Sequence, residues 1–558
     1  MKLLEEKRHL SKIVLSALLL TALGAVLWLS LRLTYLTFWD SYMYLTGARA
    51  ILGRSGQWLL YYQHPLVSYL FSRVLLFSQL FHSLWWELRI ATLFSFLLFL
   101  GSVGIAEQWI GKFFHRGSTA WFIALILLCA NSLTIKYASS PLGEFIGMGL
   151  GTWGMILTAQ LIEEKSISKA CWAAVVLGVS ACFKYQTLFF SLVPVLFLTQ
   201  TSHGALSRRE RVSFIIPFVT ITPLLFAGLH VLLWVAYPPP NHPTIMAMAT
   251  GWFNAVNGGS LKNSISRFLQ IENFAQAFGW GASFLLVWGW IKTLKRGDLT
   301  SQLNLLWATL SFAMIMVYQP SDRYLIHSFV PFVVLVVFGL KTFMVPVWGP
   351  LGRGILTLLV LIQMGMGSLD AFVMLNSRPY TNPSFVRLGD DLAPVLQDQT
   401  RIFIRGVSSS WANFVTKRRV INVTDLKTTR VGSFEWPVEL LPLLRNGDVF
   451  IVSAHRSDID IMTGVVSLQD YYPAGGNRKE AGAFVNAQGG LIRFRTTADL
   501  EFSIRSRAGR SCSLAVFRDG SVFLAGQGVK NIIVANRFIG DIMLIRKISL
   551  QARYYPLM

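Results

Sequence analysis

A few short stretches of this sequence set chemically capable side chains against long apolar runs. Phe38-Trp39-Asp40-Ser41 places a carboxylate just past the first apolar run. There it could take a proton from a hydroxyl group, although an Asp that merely caps a helix would look the same. Gln63-His64-Pro65-Leu66 adds an imidazole in the same loop. Glu144 follows Ser140-Pro141-Leu142-Gly143, Lys184 lies in Phe183-Lys184-Tyr185-Gln186, and Arg323 in Asp322-Arg323-Tyr324-Leu325-Ile326-His327. An ionisable residue at the edge of an apolar run is read as functional by default. Blander readings exist: Lys184 reaching the interface along its own stem, and Arg323 paired with Asp322. Carboxylates can accept protons, and cations can hold an anion and stabilise it as it leaves.

The elements that must position these groups are membrane helices. Of 558 residues, 53% are hydrophobic and 14% charged, against about 25% charged in soluble domains. Apolar runs near the ~20 residues that cross a bilayer fall at about 13–33, 88–109, 118–136, 143–162, 168–183, 186–200, 212–236, 275–292, 302–318, 324–341 and 353–371. That is about eleven spans. The first is too long for a signal peptide and shows no small-residue cleavage site. Pro65–Phe81 is also apolar but carries Arg73 at its middle, and is read as an amphipathic helix lying on the membrane. Ala170–Gln200 is read as two short helices hinged at Lys184.

Net charge is +22, and the basic residues sit in alternate short loops: Lys112 and Arg116; Lys165 and Lys169; Arg208, Arg209 and Arg211; Lys292, Lys295 and Arg296; Lys341. This is the positive-inside pattern, so no nucleic-acid partner is needed to explain the charge. It predicts a cytoplasmic N-terminus and an extracytoplasmic C-terminal region. Asp40, His64, Glu144, Lys184 and Arg323 then all share the outer side. The four Cys form neither a disulfide framework nor a metal-ligand spacing.

These stretches together resemble the GT-C glycosyltransferases, in the branch of the protein O-mannosyltransferases and the enzymes that add aminoarabinose to lipid A. The likeness lies in an acidic residue just after helix one, a following helix with Tyr42 and Ala48-Arg49, and a His-Pro in the same loop. It covers roughly residues 13–340. Where the family often shows Asp-Glu this chain has Asp40-Ser41, and His-Pro-Pro is reduced to His64-Pro65-Leu66. Lys136–Phe145 is similar to the family's second outer loop, with Ser140 at the usual acidic place and Glu144 one turn later. Lys184 matches a Lys-containing outer turn, and Arg323-Tyr324 an Arg-Tyr motif opening a late helix.

The resemblance implies a polyprenyl-phosphate-sugar donor and a glycan, lipid or protein acceptor. It implies Asp40 and Glu144 as catalytic carboxylates and His64, Lys184, Arg323 and Tyr324 as substrate-binding residues. Inversion at the anomeric carbon and an inner-membrane location belong to the same expectation. No metal ligand is assigned, and a divalent metal stays open because some members use one. A lipid or glycan transporter, or a flippase, would share the helices and charges. It would more often show two related halves, which this sequence lacks.

The predicted fold class is therefore an α-helical polytopic membrane protein, GT-C-like over residues 1–371, with a soluble extracytoplasmic region. That region divides into a small α/β part at 372–479 and a β-rich part at 480–558, where apolar and polar residues alternate with period two. Arg401–Arg405 and Asp448–Ser453 read as strands, Leu392–Gln397 and Val438–Leu444 as helices. Asp458-Ile-Asp460 and the sequon Asn422-Val423-Thr424 are weak signals.

Overall fold

The computed structural model describes residues 2–34, 36, 39–53, 64–78, 83–200, 206–237, 270–317, 322–343, 349–376, 402–405, 409–418, 420–422, 429–431, 434–436, 449–453, 483–485, 491–494, 500–505, 511–516, 522–526, 531–539 and 542–549. The chain divides into two units, the first Met1–Arg54, Trp58–His82 and Trp86–Thr381.

In the first unit the helices are α1 (Lys2–Arg32), α2 (Trp39–Ile51), α3 (Pro65–Ser78), α4 (Leu84–Gly111), α5 (Thr119–Cys129), α6 (Ser132–Tyr137), α7 (Glu144–Glu164) and α8 (Ile167–Phe183). They continue with α9 (Leu192–Gln200), α10 (Arg208–Ala236), α11 (Gln270–Phe278), α12 (Trp280–Leu294), α13 (Leu299–Val317), α14 (Phe329–Thr342) and α15 (Gly349–Asn376). Two 3-10 helices, Tyr185–Ser191 and Asp322–Ser328, lead into α9 and α14.

Among the described residues, six helical stretches are long and apolar enough to cross a membrane: Leu10–Arg32, Leu84–Gly111, Glu144–Glu164, Arg208–Ala236, Asp322–Thr342 and Gly354–Asn376. Glu144–Glu164 and Asp322–Thr342 are buried along most of their length, whereas the first, fourth and sixth expose most of theirs. The two inner helices are therefore the ones whose starts carry Glu144 and Arg323. An apolar surface left outside is what lipid contact requires.

Each predicted apolar segment falls on helix, with local corrections. The single span expected at 118–136 is broken between α5 and α6. Asn131 caps α6, its side chain accepting from Thr134 N–H at 2.9 Å and donating to the carbonyls of Leu127 and Leu128. One amide thus satisfies groups on both sides of the break. The segment expected at 275–292 is broken at Gly279, whose φ of +89° suits glycine. The hinge at Lys184 is present, and the turn after it is 3-10 rather than α. Helix α3 has 14 residues, about 21 Å of length, less than the ~30 Å hydrocarbon core. It packs against α2, α8 and α10, while Arg73 stays exposed and donates to the Tyr69 hydroxyl at 2.8 Å.

The second unit is Ser55–Gln57, Ser83–Trp85 and Asn382–Met558. Its strands are β1 (Ile402–Arg405), β2 (Val420–Asn422), β3 (Thr429–Val431), β4 (Phe434–Trp436), β5 (Val449–Ser453), β6 (Ala483–Val485), β7 (Leu491–Phe494), β8 (Leu500–Arg505), β9 (Ser511–Val516), β10 (Val522–Gly526), β11 (Asn531–Ile539) and β12 (Ile542–Ser549). A helix, α16 (Ser409–Thr416), joins β1 to β2. Ten strands form one sheet in the order β2-β1-β5-β12-β11-β10-β9-β8-β7-β6. The first three pair in parallel, as a helical crossover between β1 and β2 demands. Strand β12 returns antiparallel to β5, with Leu544 opposite Ile451, and β12 back to β6 is an antiparallel meander. The helices expected at Leu392–Gln397 and Val438–Leu444 lie outside the described residues, as do Asp458 and Asp460.

Candidate active site

The first carboxylate is placed by a short, tied connection. The N–H of Leu33 still bonds the Leu29 carbonyl at 2.8 Å, and α2 begins only six residues later. Within that link the Leu36 N–H donates to the Tyr42 hydroxyl at 2.6 Å. Asp40 falls in the first turn of α2, where unbonded N–H groups favour a negative charge.

The second carboxylate is placed by a glycine. A Cβ on Gly143 would lie 2.4 Å from the Phe183 carbonyl oxygen, so a side chain there would push α7 away from the end of α8. Glu144 opens α7 and Lys184 ends α8. Lys184 is extended (φ −156°, ψ 116°), which ends the α-helix and leaves its side chain next to Glu144. A hydrogen bond from Ser180 Oγ to the Gly147 carbonyl, 3.0 Å, ties the same two helices. The Lys184 Nζ lies 2.7 Å from Glu144 Oε1, with both side chains buried.

Arg323 connects the two carboxylates. Its Nη1 is 2.5 Å from Asp40 Oδ2 and 3.6 Å from Glu144 Oε1. The Tyr324 ring sits 5.2 Å from its guanidinium and 5.8 Å from Lys184 Nζ, a flat π surface that attracts both cations. The local pairing of Arg323 with Asp322 does not form. Asp322 instead accepts from the Tyr137 hydroxyl at 3.0 Å and lies 3.7 Å from Lys136 Nζ.

His64 joins the same neighbourhood through Tyr185, with ring centroids 3.7 Å apart. Burial, and then the charge of Lys184, push its imidazole well below the ordinary histidine range. His327 closes the Asp322–His327 stretch that carries Arg323 and Tyr324. It is fully buried and lies so near α7 that a Cβ on Gly147 would be 3.3 Å from its ring. Tyr137, Lys136 and Asp322 were likewise present in the sequence stretches, but no spacing rule ties residues so far apart.

The result is a buried network of two carboxylates and two cations drawn from four elements. Pairing offsets the desolvation of each charge. An arriving anion could engage the cations with charge-assisted hydrogen bonds. Among the described residues, no three His, Cys, Asp or Glu side chains come together as a metal site needs. The two carboxylates here already face cations, which does not suit a divalent metal.

Helices of this length and hydropathy, with the charged network at the starts of the two inner ones, define a polytopic helical membrane protein. The architecture is similar to that of ArnT from Cupriavidus metallidurans bound to undecaprenyl phosphate. That similarity has a TM-score of 0.53 at 13% identity and spans 85% of this chain and 96% of the other. The Archaeoglobus fulgidus oligosaccharyltransferase in its apo form is also similar, with a TM-score of 0.49 at 11% identity over 84% of this chain and 73% of that one. At such identities the likeness is one of fold, and it is the ArnT comparison that carries it. No protein-family model matches the sequence, and no curated protein matches it.

Proposed function

We propose that this chain is a glycosyltransferase that moves a sugar from a polyprenyl-phosphate-linked donor to a glycan, lipid or protein acceptor, with inversion at the anomeric carbon. The observation that carries this reading is the position of Arg323 between Asp40 and Glu144, with Lys184 on Glu144. A lipid-phosphate transferase needs a proton acceptor beside cations at membrane depth, and this network supplies both. The similar ArnT structure holds undecaprenyl phosphate, a lipid of the same headgroup chemistry.

In this reading the donor phosphate settles against Arg323 and Lys184, and Tyr324 and His64 line the site. Engagement of Arg323 by the phosphate loosens its hold on Asp40. Asp40 then faces the acceptor hydroxyl and takes its proton as the oxygen attacks the anomeric carbon from the face opposite the phosphate. One carbon–oxygen bond forms, the bond to the phosphate oxygen breaks, and polyprenyl phosphate leaves with its new charge held by the two cations. A single displacement inverts the centre. Glu144 holds Lys184 in place through their 2.7 Å contact, and no step runs through a metal.

The finer topology belongs to the same proposal: eleven crossings, a cytoplasmic N-terminus in the inner membrane, and the site outside together with residues 372–479 and 480–558. The run of basic alternate loops supports it.

The test is lipid binding. Nanodisc-embedded protein is titrated with a polyprenyl phosphate. Arg323→Met and Lys184→Met are each expected to weaken binding by roughly 10–100-fold, the worth of about 1.5–3 kcal/mol for a hydrogen bond to a charged group. Asp40→Asn is expected to leave binding intact. Equal affinity in wild type and both cation variants would overturn the assignment.

A further inference from the structure

The two residues that open the Asp322–Ser328 helix point to different partners. Successive side chains on a 3-10 helix are set about 120° apart. Arg323 turns to Asp40 and Glu144, while Asp322 turns to α6 and is held there at both oxygens. Its Oδ1 accepts from the Tyr137 hydroxyl at 3.0 Å, and its Oδ2 lies 3.7 Å from Lys136 Nζ. Helix α6 is a firm anchor. Asn131 caps its start, the Ala138 N–H bonds the Thr134 carbonyl, and the Ser140 N–H bonds the Tyr137 carbonyl at 2.9 Å.

Asp322 is thus the acid nearest to Arg323 in sequence, yet it is occupied elsewhere. Its side chain is 29% exposed and that of Lys136 is 32% exposed, so the bridge itself adds little stability. Its consequence is geometric. Were Asp322 released, a short turn of the main chain would let it compete with Asp40 and Glu144 for the guanidinium.

We infer that Tyr137 and Lys136 are positioning residues that hold Asp322 away from Arg323 and so reserve Arg323 for the site. The reading of Arg323 as a ligand of the donor phosphate, on which the kinetic part rests, is the one proposed above. Neither residue touches the reacting atoms. Both act on the site through Asp322.

The inference requires a reversal of sign on adding a third substitution. The double variant Lys136→Met/Tyr137→Phe frees Asp322. It is expected to lower kcat/KM for the lipid donor about 10-fold, the loss of one charge-assisted contact. Adding Asp322→Asn removes the competitor and is expected to return kcat/KM to within about 2-fold of wild type. Asp322→Asn alone is expected to stay near wild type. If Asp322→Asn alone is as harmful as the double variant, or the triple variant is not rescued, the inference is overturned and Asp322 is a structural strut.

A readout independent of donor keeps the two proposals apart. Cryo-electron microscopy of the double variant in nanodiscs should show the Arg323 guanidinium within about 4 Å of Asp322, the ion-pair distance, and in the triple variant back on Asp40. A guanidinium that stays on Asp40 in the double variant overturns the inference whatever the donor. A wild type that consumes no polyprenyl-phosphate sugar would count against the transferase reading alone.

Discussion

Two buried charge clusters in the membrane unit differ in how the arginine is shared. In one, Arg49 of α2 directs two N–H groups at a single oxygen of Glu87 in α4, Nε at 2.8 Å and Nη2 closer still. In the other, Arg323 is divided between Asp40 and Glu144, and Glu144 is divided between Arg323 and Lys184. The first arrangement fixes one helix against another. The second links the charges in a chain, and Asp40 keeps 14% of its side chain exposed. A charge that is shared can be released when an anion arrives, whereas one locked into a fork is costly to move. On the proposed reading, the same residue types serve structure in one place and chemistry in the other.

The comparison breaks most visibly at Asp40. Asp40→Asn is expected to lower turnover by about 10²–10⁴-fold, the usual contribution of a positioned base, with little change in melting temperature. Turnover assays beside a thermal melt in detergent separate the two. Glu87→Gln should do the reverse, destabilising the fold by about 3–5 kcal/mol because it removes one charge of a buried ion pair. The protein that remains folded should retain its activity. If Glu87→Gln instead spares stability and abolishes turnover, the division between the clusters is wrong.

Arg323→Lys sharpens the comparison on the shared side. Nη1 of Arg323 faces both carboxylates while Nη2 reaches the Tyr324 hydroxyl at 3.4 Å. A lysine keeps the charge but has no second nitrogen to share between partners, so kcat/KM is expected to fall about 10–100-fold. Steady-state kinetics on the lipid donor would show it, and an unchanged value would mean that a point charge suffices at this position. Gly143→Ala is expected to have the smallest effect. The 2.4 Å approach to the Phe183 carbonyl must open, costing about 1–3 kcal/mol as overpacking does, and the Glu144–Lys184 pair lengthens with it. A chemical-denaturation midpoint equal to that of wild type would contradict the tight crossing.

Much of the helical layout was legible in the sequence because long apolar runs have few other outcomes in water or lipid. The hinge at Lys184 was legible because Ala170–Gln200 fits neither one span nor two long ones. The break at Asn131 was missed although Asn-Ser-Leu-Thr is a capping signal, since the apolar run continues on both sides. The site residues were individually visible, but their pairing was not. Asp40 and Arg323 are 283 residues apart, and their meeting depends on tertiary approaches such as that of Gly143 to Phe183. The adjacent Asp322 looked like the natural partner of Arg323 because adjacency in sequence was all that could be read. The geometry of a 3-10 turn and the grip of Tyr137 send the two apart.

The central claim is that Asp40 acts on a lipid-linked sugar. It is tested most directly by giving wild type and Asp40→Asn, each in nanodiscs, a panel of radiolabelled polyprenyl-phosphate sugars with candidate acceptors. The account predicts that wild type consumes one donor while Asp40→Asn binds that donor and leaves it intact. Equal consumption by both proteins, or failure of wild type to bind any donor of the class, would contradict it.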